Sequence, residues 1–313
     1  MSVININCTS REMARTARIV GKATGGVMFG KGMDKVNWKL VRAMCNFGYT
    51  FMPSEKGVKI KKLHLGSVYG EMSLPKVRSS DNIILYIHGG GLVSGSAKAT
   101  RSYCSMLAKY SGMRVVSIDY ALAPEHTYPS ALDDCHEAYS ALRQQYPDSK
   151  ICVTGESAGG YLTMALTVRL INRGEKLPEC LLPQSPLTNV TGELKRDYYE
   201  IHDNTVQPDA LPYLMAVYCP GEDLYNPEIS VLHSDKLAQF PPTMISCDAN
   251  ETLREDAEAA YKTLSDLGVE THLVIFENSF HACSTAGTGT PETLRLLFEN
   301  IQFVRRCFGE NLL

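Results

Sequence analysis

The sequence predicts an α/β protein, a mostly parallel β-sheet with helices on both faces. Three observations carry that reading. Short apolar, β-prone runs alternate with segments whose apolar residues recur at helical spacing, as in βα units feeding a parallel sheet. One run, residues 150–154, passes into Gly155-Glu156-Ser157-Ala158-Gly159 and then into a helical stretch ending at Arg173. Another, residues 82–87, runs directly into His88-Gly89-Gly90-Gly91.

Residues 1–30 are of mixed composition, with glycines at 21, 25, 26 and 30, and no element is assigned to them. Between Asp34 and Phe47, the residues Val36, Leu40, Val41, Met44 and Phe47 fall at helical spacing. Val58 to Leu65 alternates apolar with basic residues, the pattern of an exposed outer strand, and residues 67–74 pair with it. Further strands are predicted at 82–87, 114–118, 150–154, 179–183, 243–247 and 271–276, with a helix over 160–173. Residues 188–224 interrupt the alternation with prolines, polar residues and aromatics, among them Tyr198, Tyr199, Tyr213 and Tyr218. There are no internal repeats.

Composition narrows the function classes. A chain of 313 residues suffices for one large α/β core with an appended subdomain. A net charge of −3 leaves no basic surface for nucleic acid. The ten cysteines show no Cys-x-x-Cys pair and no metal-ligand spacing, which argues against a disulfide framework. Cys152 and Cys247 sit inside apolar runs and read as small buried hydrophobes, so a reducing compartment is expected. Met1 to Arg15 contains no apolar run fit for a signal peptide. No segment approaches the ~20 apolar residues that span a bilayer. A cytoplasmic protein without membrane contact is the expectation.

The chemistry is read from three sites. Gly-x-Ser-x-Gly between strand and helix is the pattern of a nucleophile elbow. The turn is so sharp that backbone meets backbone, which asks for glycine at 155 and 159 and holds the Ser157 hydroxyl out at its tip. Three successive glycines after His88 can present N–H groups to an oxyanion with no side chain in the way. His281 follows the run 271–276; a late histidine on a loop after the last strand can reach the serine as its general base. It is one of eight histidines, and chain order singles it out.

With these motifs in place, the chain resembles the hormone-sensitive-lipase-like family of α/β-hydrolase esterases, the bacterial family IV carboxylesterases. The resemblance rests on His88-Gly89-Gly90-Gly91, on Asp119-Tyr120-Ala121-Leu122-Ala123-Pro124-Glu125-His126 and on the elbow extended to Gly160. Pro129, Ala131-Leu132-Asp133-Asp134, Asn226-Pro227 and Phe240-Pro241-Pro242 continue it, so that it covers about residues 55–305. It implies a serine carboxylesterase acting on short-chain acyl or acetyl esters with water, needing no cofactor and no metal. It implies an α/β-hydrolase core over 51–187 and 226–313. A helical cap would be built from residues 1–50 and an insertion at 188–225. A homodimer through the last strand is a further family expectation.

Catalytic residues carry over onto Ser157, His281 and an acid, with the N–H groups of Gly89, Gly90 and Ala158 as the oxyanion hole. At the acid the sequence departs from pattern. The family usually has aspartate in Asp-Pro-Leu-x-Asp; laid on Pro241-Pro242, that position is Glu251, 30 residues before His281. Either carboxylate can accept the imidazole N–H. Asp248, at the end of the run 243–247, is the alternative. Glu255 and Asp256 read as solvated charges in the first turns of a helix. Glu156 reads as holding the elbow or a neighbouring loop. His88 reads as orienting the oxyanion loop, Glu125 and His126 as loop anchors, and Tyr161 as buried beneath the site. Cys283 lies close enough to His281 to be chemically accessible. Trp38, Phe47, Phe51 and the four tyrosines are candidate pocket walls, with packing inside the cap as the competing role. A hydrolase of amides, lactones or carbamates would share the triad. A non-catalytic small-molecule receptor would most simply have lost the serine or the histidine.

Overall fold

The computed structural model describes every residue except 25–31, 33, 34, 50–53, 197–202, 204, 208, 312 and 313, and every side chain of these but 23, 24 and 44–49. Strand β4 (Ile83–Ile87) is buried along its whole length, which is why its sequence is an unbroken apolar run. Ile83, Leu85 and Ile87 enter one core while Ile84 and Tyr86 enter another, because successive side chains point to opposite faces.

The remaining strands are β1 (Ser2–Asn7), β2 (Val58–Leu65), β3 (Val68–Pro75), β5 (Arg114–Asp119), β6 (Ile151–Glu156), β7 (Cys180–Gln184), β8 (Thr243–Asp248) and β9 (Thr271–Glu277). They form one nine-stranded sheet in the order β1-β9-β8-β7-β6-β4-β5-β3-β2. β3 alone is reversed in the sheet, pairing antiparallel with both β2 and β5. Lys59, Lys61 and Lys62 lie on β2, the edge strand, where charge guards an unpaired backbone.

Helices α4 (Ser130–Gln145), α5 (Ala158–Arg173) and α7 (Arg254–Asp266) bury residues in the first core; α1 (Arg11–Thr24), α3 (Arg101–Ser111) and α8 (Pro291–Phe308) in the second. Two more helices are α2 (Trp38–Tyr49) and α6 (Ala210–Tyr218). The predicted strands all form, with ends shifted by one or two residues. The decisive consequence of the topology is that β4, β6, β7, β8 and β9 are consecutive parallel neighbours. Their C-terminal ends therefore line up along one rim, where α/β sheets place their sites.

Four expectations are corrected. Residues 2–7, expected in the cap, form β1 and pair in parallel with β9, with Ser2 opposite His272 and Asn7 opposite Glu277. That same pairing encloses β9 between β8 and β1, so the last strand offers no open edge for a second copy. Asp256 is not a solvated charge: it is fully buried. It pairs with Arg196 at 2.8 Å and accepts the N–H groups of Thr188 and Asn189 at 2.8 and 3.1 Å. A helix start facing inward must compensate its charge this way. Cys283 is 4% exposed, and burial pushes its thiol well above the ordinary value. Phe51, Tyr198 and Tyr199, and the side chain of Phe47, lie outside the described residues.

Candidate active site

Each of five neighbouring strands delivers one piece of the site at its C-terminal end: His88 to Gly91 after β4, Ser157 after β6, Ser185 after β7, Glu251 after β8 and His281 after β9. Ser157 caps α5 with φ 54° and ψ −117°, a sparsely populated backbone region held only because the surroundings impose it. A Cβ at Gly155 or Gly159 would strike the carbonyl oxygen of Ile87 on β4. The two elbow glycines thus let β6 and α5 close onto their neighbour. Ser157 itself remains partly accessible.

His281 is 7% exposed, and its Nδ1 lies 2.9 Å from Glu251 Oε2. Glu251 is 1% exposed and also accepts the Ser185 hydroxyl at 2.9 Å. Ser185 in turn accepts the N–H of Ala282 at 3.2 Å, tying the carboxylate to the histidine loop. Burial pushes the imidazole down, but the Glu251 carboxylate overrides it and raises His281 to about 9. His281 Nε2 has no partner among the described residues and lines the same cavity as Ser157. Asp248 does not meet the imidazole. Its Oδ2 accepts the N–H of Ser279 at 3.0 Å and the Ser279 hydroxyl, and Oδ1 accepts the N–H of Asn250 at 2.8 Å. It pins the base of the histidine loop.

The glycine loop requires one correction. The N–H of Gly89, expected in the oxyanion hole, donates to Glu156 Oε1 at 2.7 Å and is therefore occupied. The N–H groups of Gly90, Gly91 and Ala158 have no protein acceptor among the described residues. Gly90 and Gly91 have φ of 113° and 61°, conformations that glycine adopts without strain. Burial raises the Glu156 carboxyl to about 7, opposed by the Tyr86 hydroxyl and the Gly89 amide. His88 is buried and stacks on Tyr120 at 4.2 Å, and the Tyr120 hydroxyl donates to its carbonyl at 2.8 Å. Burial lowers His88 to about 4, so it is neutral at physiological pH and serves as a prop. Arg42 on α2 donates to the carbonyl of Val93 at 2.6 Å and pairs with Glu125 at 2.8 Å, fastening an N-terminal helix beside this loop. Among the described residues no group of three or more His, Cys, Asp or Glu is placed to hold a metal ion.

Against this geometry, residues 84–285 match the family model described as the alpha/beta hydrolase fold. The chain belongs to the α/β-hydrolase family. It is similar to the esterase LipU of Mycobacterium tuberculosis, 32% identical over 238 residues, covering 72% of this chain and 78% of that protein. It is also similar to an acetyl-hydrolase of Streptomyces hygroscopicus, 29% identical over 75% of this chain and 79% of the relative. Among solved structures, an esterase of the bacterial hormone-sensitive lipase family superposes with a TM-score of 0.85 at 28% identity, over 96% of this chain and all of that one. This α/β-hydrolase is a hormone-sensitive-lipase-like carboxylic ester hydrolase.

Several residues of the esterase site carried no sequence signal. Ser185 follows a strand in an unremarkable Gln184-Ser185-Pro186 context. Tyr103, Met106, Thr205 and Thr285 line the cavity at Ser157 but come from distant segments. Conversely, Trp38 and Tyr218 are buried in the main core and Tyr213 packs against it. None of the three lines a cavity at Ser157. Tyr161 is 2% exposed and donates to the carbonyl of Glu228 at 2.7 Å. No described helix is long and apolar enough to cross a membrane.

Proposed function

We propose that the enzyme hydrolyses short-chain acyl or acetyl esters with Ser157 as nucleophile, His281 as general base and Glu251 as the acid that orients it. One observation carries the reading. The 2.9 Å contact between His281 Nδ1 and Glu251 leaves Nε2 unpartnered in the cavity that Ser157 lines. Ser157 Oγ attacks the ester carbonyl as Nε2 takes its proton. The carbonyl oxygen becomes an oxyanion, received by the N–H groups of Gly90, Gly91 and Ala158. Each such donor is worth ~3 kcal/mol in the transition state. The imidazolium returns the proton to the leaving alkoxide, freeing the alcohol. Water then repeats the sequence on the acyl-enzyme and releases the carboxylic acid. Glu251 holds the tautomer and stabilises the imidazolium.

Residues 188–225 and helix α2 act as a cap. This is supported by Val206, Leu211 and Leu214 lining a cavity at Ser157 and by the anchoring of α2 through Arg42. The test is hydrolysis of p-nitrophenyl esters from acetate to palmitate by wild type and Ser157→Ala. Serine-dependent turnover confined to short chains is expected. Turnover that survives Ser157→Ala sinks the triad. Serine labelling by an organophosphonate without ester turnover would point to amides, lactones or carbamates.

A further inference from the structure

Two cavities of different size and lining meet at Ser157. One is a notch of about 20 Å³ whose walls include Leu92, Leu187, Val206, Leu211, Leu214 and Leu253. Space of that size admits a single water-sized group, and an apolar lining selects a methyl over a water. The other is a chamber of about 430 Å³, in the range of small-molecule sites. His281 lines the chamber and not the notch. The leaving oxygen must take its proton from His281, so the alcohol has to leave on the chamber side and the acyl group has to occupy the notch.

The chamber also has unmet polar capacity. Thr205 lines it, and its Oγ1 is buried without a partner among the described residues. Buried polar atoms normally find partners, and a substrate hydroxyl can supply this one. Met106 and Ala286 give the same chamber apolar surface against which a ring face can lie.

We infer that the substrate is an acetate ester of a hydroxyl-bearing ring alcohol of about monosaccharide size. The acetyl methyl fills the leucine-lined notch, and an alcohol hydroxyl bonds to Thr205. Hydrolysis adds one water, leaving acetic acid and the free alcohol. The inference rests on the Ser157–His281–Glu251 reading above, and the following experiment separates the two.

The first arm measures kcat/KM for p-nitrophenyl acetate, butyrate and hexanoate with wild type and Leu214→Ala. One misplaced methylene costs 10-fold or more in a tight apolar pocket. Wild type should therefore favour acetate over butyrate at least about tenfold, and Leu214→Ala should move the ratio toward butyrate. The ratio between substrates is independent of how much enzyme folds, so a destabilised variant still reports. The second arm compares 6-O-acetylglucose with cyclohexyl acetate, a ring ester without free hydroxyls. The sugar ester should be preferred about tenfold, and Thr205→Val should shrink that preference. Butyrate turned over as well as acetate overturns the notch assignment. Cyclohexyl acetate turned over as well as the sugar ester overturns the chamber assignment. Either failure with serine-dependent turnover leaves the triad standing, whereas turnover retained in Ser157→Ala removes both.

Discussion

Replacing Glu251 by Gln isolates one charge in an otherwise preserved shape. The glutamine oxygen can still accept the imidazole N–H, so what is lost is the carboxylate facing the imidazolium. The structure sets the scale. Burial alone would lower His281, yet the neighbouring carboxylate holds it at about 9 against an ordinary 6.5. That rise corresponds to about 3 kcal/mol in favour of the imidazolium, and the transition state contains that imidazolium. Losing it should cost two to three decades in kcat/KM, roughly 100-fold or more, wherever both enzymes start with a neutral imidazole. The pH dependence follows with its sign. Wild-type kcat/KM should climb with pH until His281 has lost its proton near 9. In Glu251→Gln burial is opposed only by the smaller pull of the Asp203 and Glu156 carboxylates, so the limb should move to lower pH. The deficit is therefore largest at alkaline pH and narrows toward neutrality, where the wild-type base is still mostly protonated. Initial rates on p-nitrophenyl acetate across about pH 6 to 9.5, which brackets the histidine titration, blanked with Ser157→Ala, measure this. A Glu251→Gln enzyme close to wild type at the alkaline end, or a larger loss in Asp248→Asn, would refute the reasoning and give the role to Asp248.

Glu156→Ala should leave the buried Gly89 N–H without its acceptor at 2.7 Å, a loss of about 1–3 kcal/mol. It should reduce kcat about tenfold with a smaller change in KM, because the oxyanion loop rather than substrate binding is disturbed; an unchanged kcat would deny Glu156 that role. Arg196→Met strands the fully buried Asp256 carboxylate and should cost about 3–5 kcal/mol of stability, read as a lower urea midpoint. Gly159→Ala drives a methyl into the Ile87 carbonyl and should destabilise by about 1–3 kcal/mol or more, checked by the same titration. Cys283, raised by burial, should resist iodoacetamide at pH 8 (about the range in which exposed thiols react) in the native protein and become labelled in urea; rapid native labelling would contradict its burial.

Legibility in the sequence followed how local each signal is. The elbow could be read because five consecutive residues must satisfy one turn. The strands at 82–87 and 150–154 were visible because burial on both faces demands continuous apolar residues. Strand β1 was missed because its six residues pair with a partner about 270 positions away, and nothing adjacent announces it. Asp256 was misread for a related reason. An acidic residue in a first helical turn is ordinary, and only the approach of Arg196 and the backbone of residues 188 and 189 makes it internal. The oxyanion donors show the same limit within a single motif. His88-Gly89-Gly90-Gly91 identifies a donor loop, but which N–H groups are free depends on the Glu156 carboxylate reaching across from β6.

By itself the sequence determined the fold class, a candidate nucleophile at Ser157, a candidate base at His281 and a short list of two acids. Those features are written in runs of a few residues, where chain chemistry and chain geometry coincide. Tertiary structure alone decided that Glu251 rather than Asp248 meets the imidazole, that Ser185 ties that carboxylate to the Ala282 N–H, and that a leucine-walled notch and a hydroxyl-bearing chamber meet at Ser157. The physical reason is that hydrogen-bond partnership and cavity shape depend on side chains from strands far apart in the chain. The parallel sheet brings their ends to a single rim.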